Sequence, residues 1–343
     1  MTTGFGVIGA GLWGEFHALV YSHHPDATLA AVCDSNAARA QDIARAYGAA
    51  RWYTDYRDLL ADPAVAAVTI ATPDHLHAEI GVAAAQAGKD ILMEKPLALT
   101  VDDCRRIIAA AEQAGVKLMV DFHNRWNPPF NLLKQSIDKG ELGQPLLINA
   151  RLNNTLFVPT EMLSWAGQSA TIWFTGSHLI DLVCWLLGSE VTRVYSVSRA
   201  VVLAARGINT PDFFETTLEF ASGAVAVVET CWILPNSEPN IVDFKLRCVG
   251  SAGSASVDTT HNRTLEQYGD KSAYRDVLGM VNVFGNVQGF ALESIHYFAD
   301  CVIHNQQPRV TGDDGLRNTA IICAALRSAQ TGQPVQLEAF RRP

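Results

Sequence analysis

Between Gly4 and Phe122 short apolar runs alternate with longer stretches whose apolar residues recur at helical spacing. FGVI, TLAAVCD, AVTIAT, DILME and KLMVDF read as buried strands, and IARAYG, HAEIGVAAAQAG and CRRIIAAAEQAG read as the helices between them. Continuous apolar strands that alternate with helices are the pattern of a parallel sheet covered on both faces, which predicts a doubly wound α/β domain over residues 1–122. Gly88 and Gly115 stand where two of those helices should stop before the next strand.

After Phe122 the pattern changes. HNRWNPPFNLLKQSIDKGELGQP predicts a helix following Pro128 and Pro129. Longer strands come next: LLINARLNN, TRVYSVSRAVVL, the pair FETTLEF and AVAVVETCWI joined through Ala221-Ser222-Gly223, and VDFKLRCVG. Long helices return only near the end, in GFALESIHYFADCVIHN and GLRNTAIICAALRSAQ. Residues 123–343 are therefore predicted to be an α+β domain with a large, mainly antiparallel open sheet, used for substrate binding and oligomerisation. Few helices are left to cover that sheet, so one face is expected to meet another subunit in a homodimer or homotetramer.

Composition narrows the partners. With 48% apolar and 18% charged residues the chain is globular, and a net charge of -9 with scattered basic residues gives no footprint for nucleic acid. The seven cysteines are widely separated, without a C-x-x-C pair, so neither a disulfide framework nor a zinc site is expected, and no other metal is called for. MTTGFGVIGAG lacks the basic and apolar regions of a secretion signal, and no run is long enough to span a bilayer. A cytoplasmic location without a membrane partner is expected.

The first strand runs into Gly9-Ala10-Gly11-Leu12-Trp13-Gly14, a G-x-G-x-x-G that opens a helix. Such glycines allow a tight turn, close approach of a pyrophosphate, and close helix-strand packing at a positive helix end. The second strand ends at Asp34, placed to accept from ribose hydroxyls; its charge favours NAD over NADP, although Arg39 lies near in sequence. Thr72 and Pro73, in Ala71-Thr72-Pro73-Asp74-His75, fall at the carboxyl edge of the fourth strand, where Thr-Pro reads either as cofactor wall or as a helix start. Glu94-Lys95-Pro96 closes the next strand on the same edge, which is poor strand material but a good place for a lysine to meet nicotinamide and substrate.

These motifs, with GSHLIDLVCWLLG at 176–188, resemble the Gfo/Idh/MocA oxidoreductases (the glucose-fructose oxidoreductase and inositol dehydrogenase type) over essentially the whole chain. The resemblance implies an NAD(P)-dependent dehydrogenase or reductase that moves hydride between nicotinamide and a secondary hydroxyl or ketone of a sugar, sugar acid or cyclitol. It assigns Lys95 to catalysis, Glu94, Lys95, Pro96 and His75 to the cofactor side, and a frequently cis Lys-Pro bond to the motif. His178, in the predicted first turn of its helix, is the implied base, and the positive helix end there disfavours imidazolium. The inositol dehydrogenase type usually carries Asp four residues earlier, and here that residue is Phe174.

Substrate contacts are expected from His123, Asn124 and Arg125, from Arg151 and Asn153 at period two on the first long strand, and from Trp165, Trp173 and Phe174 as an apolar or sugar-stacking wall. Two rivals share the fold: a cofactor-binding regulator without turnover, and an NAD-dependent glycosidase or lyase that forms a transient ketone.

Overall fold

The computed structural model describes residues 2–261, 263–269 and 272–337, so positions 338–343 of the predicted second domain lie outside the described residues. The backbone forms two compact units, Met1–His123 with Ala291–Thr319, and Asn124–Phe290 with Ala320–Pro343.

In the first unit six strands alternate with five helices: β1 (Thr3–Ile8), α1 (Leu12–His23), β2 (Ala27–Cys33), α2 (Ala37–Ala46), β3 (Arg51–Tyr53), α3 (Tyr56–Ala61), β4 (Ala67–Ile70), α4 (His77–Gln86), β5 (Asp90–Met93), α5 (Val101–Ala114) and β6 (Leu118–Val120). The strands pair in parallel in the order β3-β2-β1-β4-β5-β6. This order brings the carboxyl ends of β1 and β4 together at the point where the winding reverses, the place such sheets use for a ligand. Phe5, Val7, Val68, Ile70, Ile91 and Leu92 are fully buried, each aliphatic one worth about 1.5–3 kcal/mol of transfer free energy. At α5, Thr100 accepts from the Asp103 N–H at one end and Gly115 takes the left-handed conformation (φ +68) at the other.

In the backbone, residues 291–319 pack with the first unit, a return of the chain that the predicted division at residue 122 does not include. Phe298 meets Phe5 edge-on with centroids 6.4 Å apart, Thr319 donates to the Ala98 carbonyl, and Lys117 reaches Asn305. An apolar helix carries no sequence mark of which core it joins.

The second unit contains α6 (Pro128–Asp138), β7 (Pro145–Asn154), α7 (Ser177–Leu187), β8 (Val191–Arg199), β9 (Phe213–Phe220), β10 (Val225–Cys231), β11 (Val242–Gly250) and β12 (Ser254–Asp258). Its main sheet runs β12-β11-β7-β10-β9-β8 and ends on a short strand, Val335–Gln336. Pairing is antiparallel except between β7 and β10. Ile148, Ala150, Leu152, Ala226 and Val228 point to the face on which α7 packs, and their neighbours in sequence point to the other. Strand β8 stops at Arg199, short of the predicted Leu203, because the Asp212 carboxylate accepts the N–H groups of Val201, Val202 and Leu203 at 2.8 Å.

Candidate active site

The cofactor half lies at the carboxyl edge of the parallel sheet. Gly9 has φ +94, and a methyl group there would crowd the Ala71 backbone. A methyl at Gly14 would collide with the Gly9 carbonyl, whereas one at Gly11 would meet nothing within 4 Å. Gly11 thus faces open space at the start of α1, whose first amides have no side-chain cap. That arrangement fits the pyrophosphate of a dinucleotide. Leu12 is exposed at the same loop, and Trp13 stacks on His123 with centroids 5.2 Å apart.

Asp34 follows β2 directly. One carboxylate oxygen accepts the Ala10 N–H at 2.8 Å and the other the Asn36 N–H at 2.8 Å, so the acid is held beside the glycine turn. Arg39 is also at this turn: its Nε donates to the Ala10 carbonyl at 2.6 Å and Nη2 to Glu15 at 2.6 Å.

At the ends of β4 and β5 the Lys95-Pro96 peptide is cis, and His77 joins the two segments, with Nδ1 2.7 Å from the Pro96 carbonyl and Nε2 3.0 Å from that of Thr72. The Thr72 hydroxyl is buried without a protein partner, while Pro73 is exposed. His75 is exposed in a short 3-10 turn, and the histidine that ties this edge together is His77, which the sequence reading did not single out. Lys95 is half-buried and Glu94 fully so.

Beneath Lys95 lies a buried polar cluster. Glu94 can only accept, so the His17 Nε2–H donates to it at 3.1 Å; Thr69 stands 3.1 Å from His17 Nδ1, and Tyr21 2.6 Å from Thr69. Asp121 Oδ2 is 3.9 Å from His17 Nε2. Burial raises the Glu94 carboxyl, but the His17 hydrogen bond, followed by the electrostatic influence of His17, Lys95 and His123, outweighs it and holds the group below the usual range. Burial, then the Glu94 charge, pushes Asp121 well above its usual value. Burial, with Lys95 and His17 adding to it, pulls His123 down to about 4.

The donor atoms of His17, Glu94 and Asp121 lie within 4.8 Å of one another, a spacing a metal ion could use. The His17–Glu94 hydrogen bond already engages two of these groups, and the upward shift of Asp121 favours its protonated form, which is a weaker cation ligand.

A carboxyl kept protonated by the fold stabilises it below the ordinary aspartate pKa of about 4, and that contribution is lost as pH rises toward the raised value. Asp121→Asn does not titrate. Its melting temperature relative to wild type is therefore expected to climb as pH rises from about 4 toward neutrality. A difference that stays flat across that range would mean that Asp121 is ionised in the fold.

The other candidate residues belong to the second unit. His178 is buried near the start of α7, but Ile172–Gly176 is already wound as a π-helical turn and passes into α7 with helical dihedrals at Gly176. The imidazole therefore sits beyond the first turn of a longer helix, where the positive helix end acts weakly, and the predicted dipole argument fails. Arg125 does not stand ready for substrate: its guanidinium makes a buried two-point pair with Asp181 of α7, at 2.9 and 2.6 Å. It orients the helix that carries His178. Asn124 is buried, and its carbonyl accepts from Asn127.

Arg151 and Asn153 share one face of the sheet, as their spacing predicts. Both point to the sheet face opposite α7, where Arg151 pairs with Asp243 at 2.6 Å and Asn153 donates to Glu229. Period two placed them together on one face but could not say which face carries His178.

Phe174 lies one turn before His178. Its ring meets Trp165 at 6.1 Å and Trp232 at 5.9 Å, over Val158, Leu163 and Leu203. Trp173 is buried core. Trp232, which the sequence reading missed, is fully buried with its indole N–H unpartnered, as are hydroxyls of Thr155 and Thr230 and the Asn154 side-chain oxygen. All four sit at or just past the ends of β7 and β10, and Thr230 lies against Gly176. Buried polar atoms left open beside an aromatic wall suit a polyhydroxylated ligand.

Residues 3–122 match the oxidoreductase family with an NAD-binding Rossmann fold, and residues 134–337 its C-terminal alpha/beta domain. The chain is 30% identical to scyllo-inositol 2-dehydrogenase (NAD(+)) of Bacillus subtilis, with 98% of this chain and 96% of the relative aligned. It is 27% identical to myo-inositol 2-dehydrogenase of Thermotoga maritima, covering 97% and 98%. The solved structure of levoglucosan dehydrogenase in complex with NADH superposes with a TM-score of 0.83 at 26% identity, covering 98% of this chain and 100% of that one. The glycine cradle, Asp34 and the Glu-Lys-Pro strand end thus stand in their expected frame, and the chain belongs to the Gfo/Idh/MocA family of oxidoreductases, with NAD as its cofactor.

Proposed function

We propose that this chain oxidises a secondary hydroxyl of a cyclitol or a closely related polyhydroxylated ring. The observation that carries the reading is the placement of Lys95 at the end of β5, on the same sheet edge as the glycine cradle and Asp34. NAD, when bound, supplies the hydride acceptor. Lys95 donates to the substrate oxygen and stabilises the developing alkoxide, while His178 takes the hydroxyl proton. Glu94, held by His17, fixes the strand end behind the lysine, and the Arg125–Asp181 pair fixes the helix behind the histidine. The test is NADH formation by the purified chain against a panel of cyclitols, sugars and sugar acids, each also tried with NADP.

The aromatic cluster refines the substrate. An Asp at position 174 would meet a hydroxyl; Phe174 with Trp165 and Trp232 offers a ring face, which suits a substrate whose edge toward this wall carries no hydroxyl, such as an anhydro or deoxy sugar. Similarity to a levoglucosan dehydrogenase supports that reading. Phe174→Asp is expected to shift the ratio of kcat/KM for inositol over anhydro sugar by about tenfold or more toward inositol, the scale set by one mismatched polar contact. Phe174→Leu, which keeps an apolar wall, is expected to leave the ratio nearly unchanged. Equal ratios in all three proteins would remove Phe174 from substrate selection.

The face of the large sheet opposite α7 carries half-covered side chains, among them Val225, Val227 and Tyr195 together with paired charges. It is proposed as the contact of a homodimer or homotetramer, and sedimentation as a monomer at micromolar concentration would contradict this. A cytoplasmic site of action agrees with seven cysteines that form no disulfide; among the described residues no helix is long and apolar enough to cross a membrane.

A further inference from the structure

The charges around the glycine turn carry more than ribose recognition. The Ala10 peptide is gripped from both sides, its N–H by Asp34 and its carbonyl by Arg39 Nε. The guanidinium is held there by Glu15, in the first turn of α1, whose Oε2 accepts from Nη2 at 2.6 Å and whose Oε1 accepts from the Tyr47 hydroxyl at 3.0 Å. The Asn36 side chain also accepts from the Arg39 N–H, so the first turn of α2 is fixed in the same assembly.

An arginine just past the acid that ends β2 is the residue type that would accommodate a 2′-phosphate. Here it is neutralised. Two carboxylates and one guanidinium leave a net charge of -1 at neutral pH, against a ligand group that would bring about two more negative charges. The Arg39 and Glu15 side chains keep 38% and 32% of their surface exposed, so both remain within reach of a ligand at this edge and of salt.

We propose that Glu15 is a specificity-determining residue for the cofactor: by pairing with Arg39 and holding it on the Ala10 carbonyl, it withholds a cation from the 2′-phosphate of NADP and sharpens the choice of NAD that Asp34 begins. The inference concerns the cofactor alone and does not depend on which hydroxyl compound is oxidised.

The readout is equilibrium binding of NADPH and of NADH to the full chain without substrate, followed by fluorescence at low ionic strength, with melting curves to confirm folding. Glu15→Gln is expected to lower the ratio of the NADPH to the NADH dissociation constant by about tenfold, and the gain should shrink as salt passes about 0.15 M. In an Arg39→Gln background the same change should lose most of its effect. Glu15→Ala provides a second route to the same result if the glutamine variant folds poorly. Tyr47→Phe keeps both charges and should move the ratio by less than about twofold. An unchanged ratio in folded Glu15→Gln and Glu15→Ala overturns the proposal. So does an undiminished gain without Arg39, or a Tyr47→Phe shift as large as that of Glu15→Gln.

Discussion

Lys95→Ala is expected to lower kcat by about 10³-fold while the protein still binds NADH, because the lysine acts on charge that develops only as the hydroxyl is oxidised. The structural support is specific. Lys95 stands at the end of a strand whose apolar residues are fully buried, and its neighbour Glu94 is fixed by His17. The loss should fall on kcat more than on KM, since a contact made mainly in the transition state contributes little to ground-state binding. Lys95→Arg keeps the charge on a larger, planar head and is expected to recover little. Binding of NADH by Lys95→Ala, measured by fluorescence, separates a catalytic defect from an unfolded strand end. Turnover close to wild type in Lys95→Ala would remove the lysine from the chemistry.

His178→Ala is the second large effect, expected at about 10²–10⁴-fold in kcat, the range for losing a positioned general base. Its signature is the pH profile: the acid limb of kcat/KM due to the histidine should disappear, and the residual rate should rise with hydroxide. The Arg125–Asp181 pair gives an internal comparison, because it orients α7 without supplying a proton acceptor. Arg125→Ala removes the guanidinium from a buried carboxylate, a change that costs up to about 3–5 kcal/mol, and should lower stability and rate together while keeping the shape of the pH profile. Loss of the acid limb in Arg125→Ala, with retention in His178→Ala, would reverse the two roles.

The parts of this site legible in the sequence are those in which chemistry and element boundary coincide. Gly9, Gly11 and Gly14 close a strand and open a helix, and Asp34 and Glu94-Lys95-Pro96 end strands of the same sheet, so position along the chain implies position in space. Residues that act from inside an element are hidden. His17 shares the buried face of α1 with Gly14, Ala18 and Tyr21, and its spacing is that of a core residue. His77 looks like any helix-start residue, and its role depends on a contact with Pro96, nineteen residues away.

In the second unit the difficulty is facing. Arg151 and Asn153 obey the alternation that picked them out, yet which face lies under α7 is settled by packing of the whole sheet. The π-helical turn before α7 likewise erased a helix start that Gly176-Ser177 suggested, and with it the reason given for a neutral His178. Trp232 gave no signal of its own, because its importance comes from an unpartnered indole N–H beside Phe174.

The most direct test of the account is nicotinamide absorbance with purified wild type and Lys95→Ala, NAD, and a panel running from inositols to anhydro sugars. The account predicts NADH formation by the wild type with at least one ring compound and near-complete loss in Lys95→Ala. NADH binding without turnover across the panel would contradict it and leave the chain a dinucleotide-binding protein without this activity.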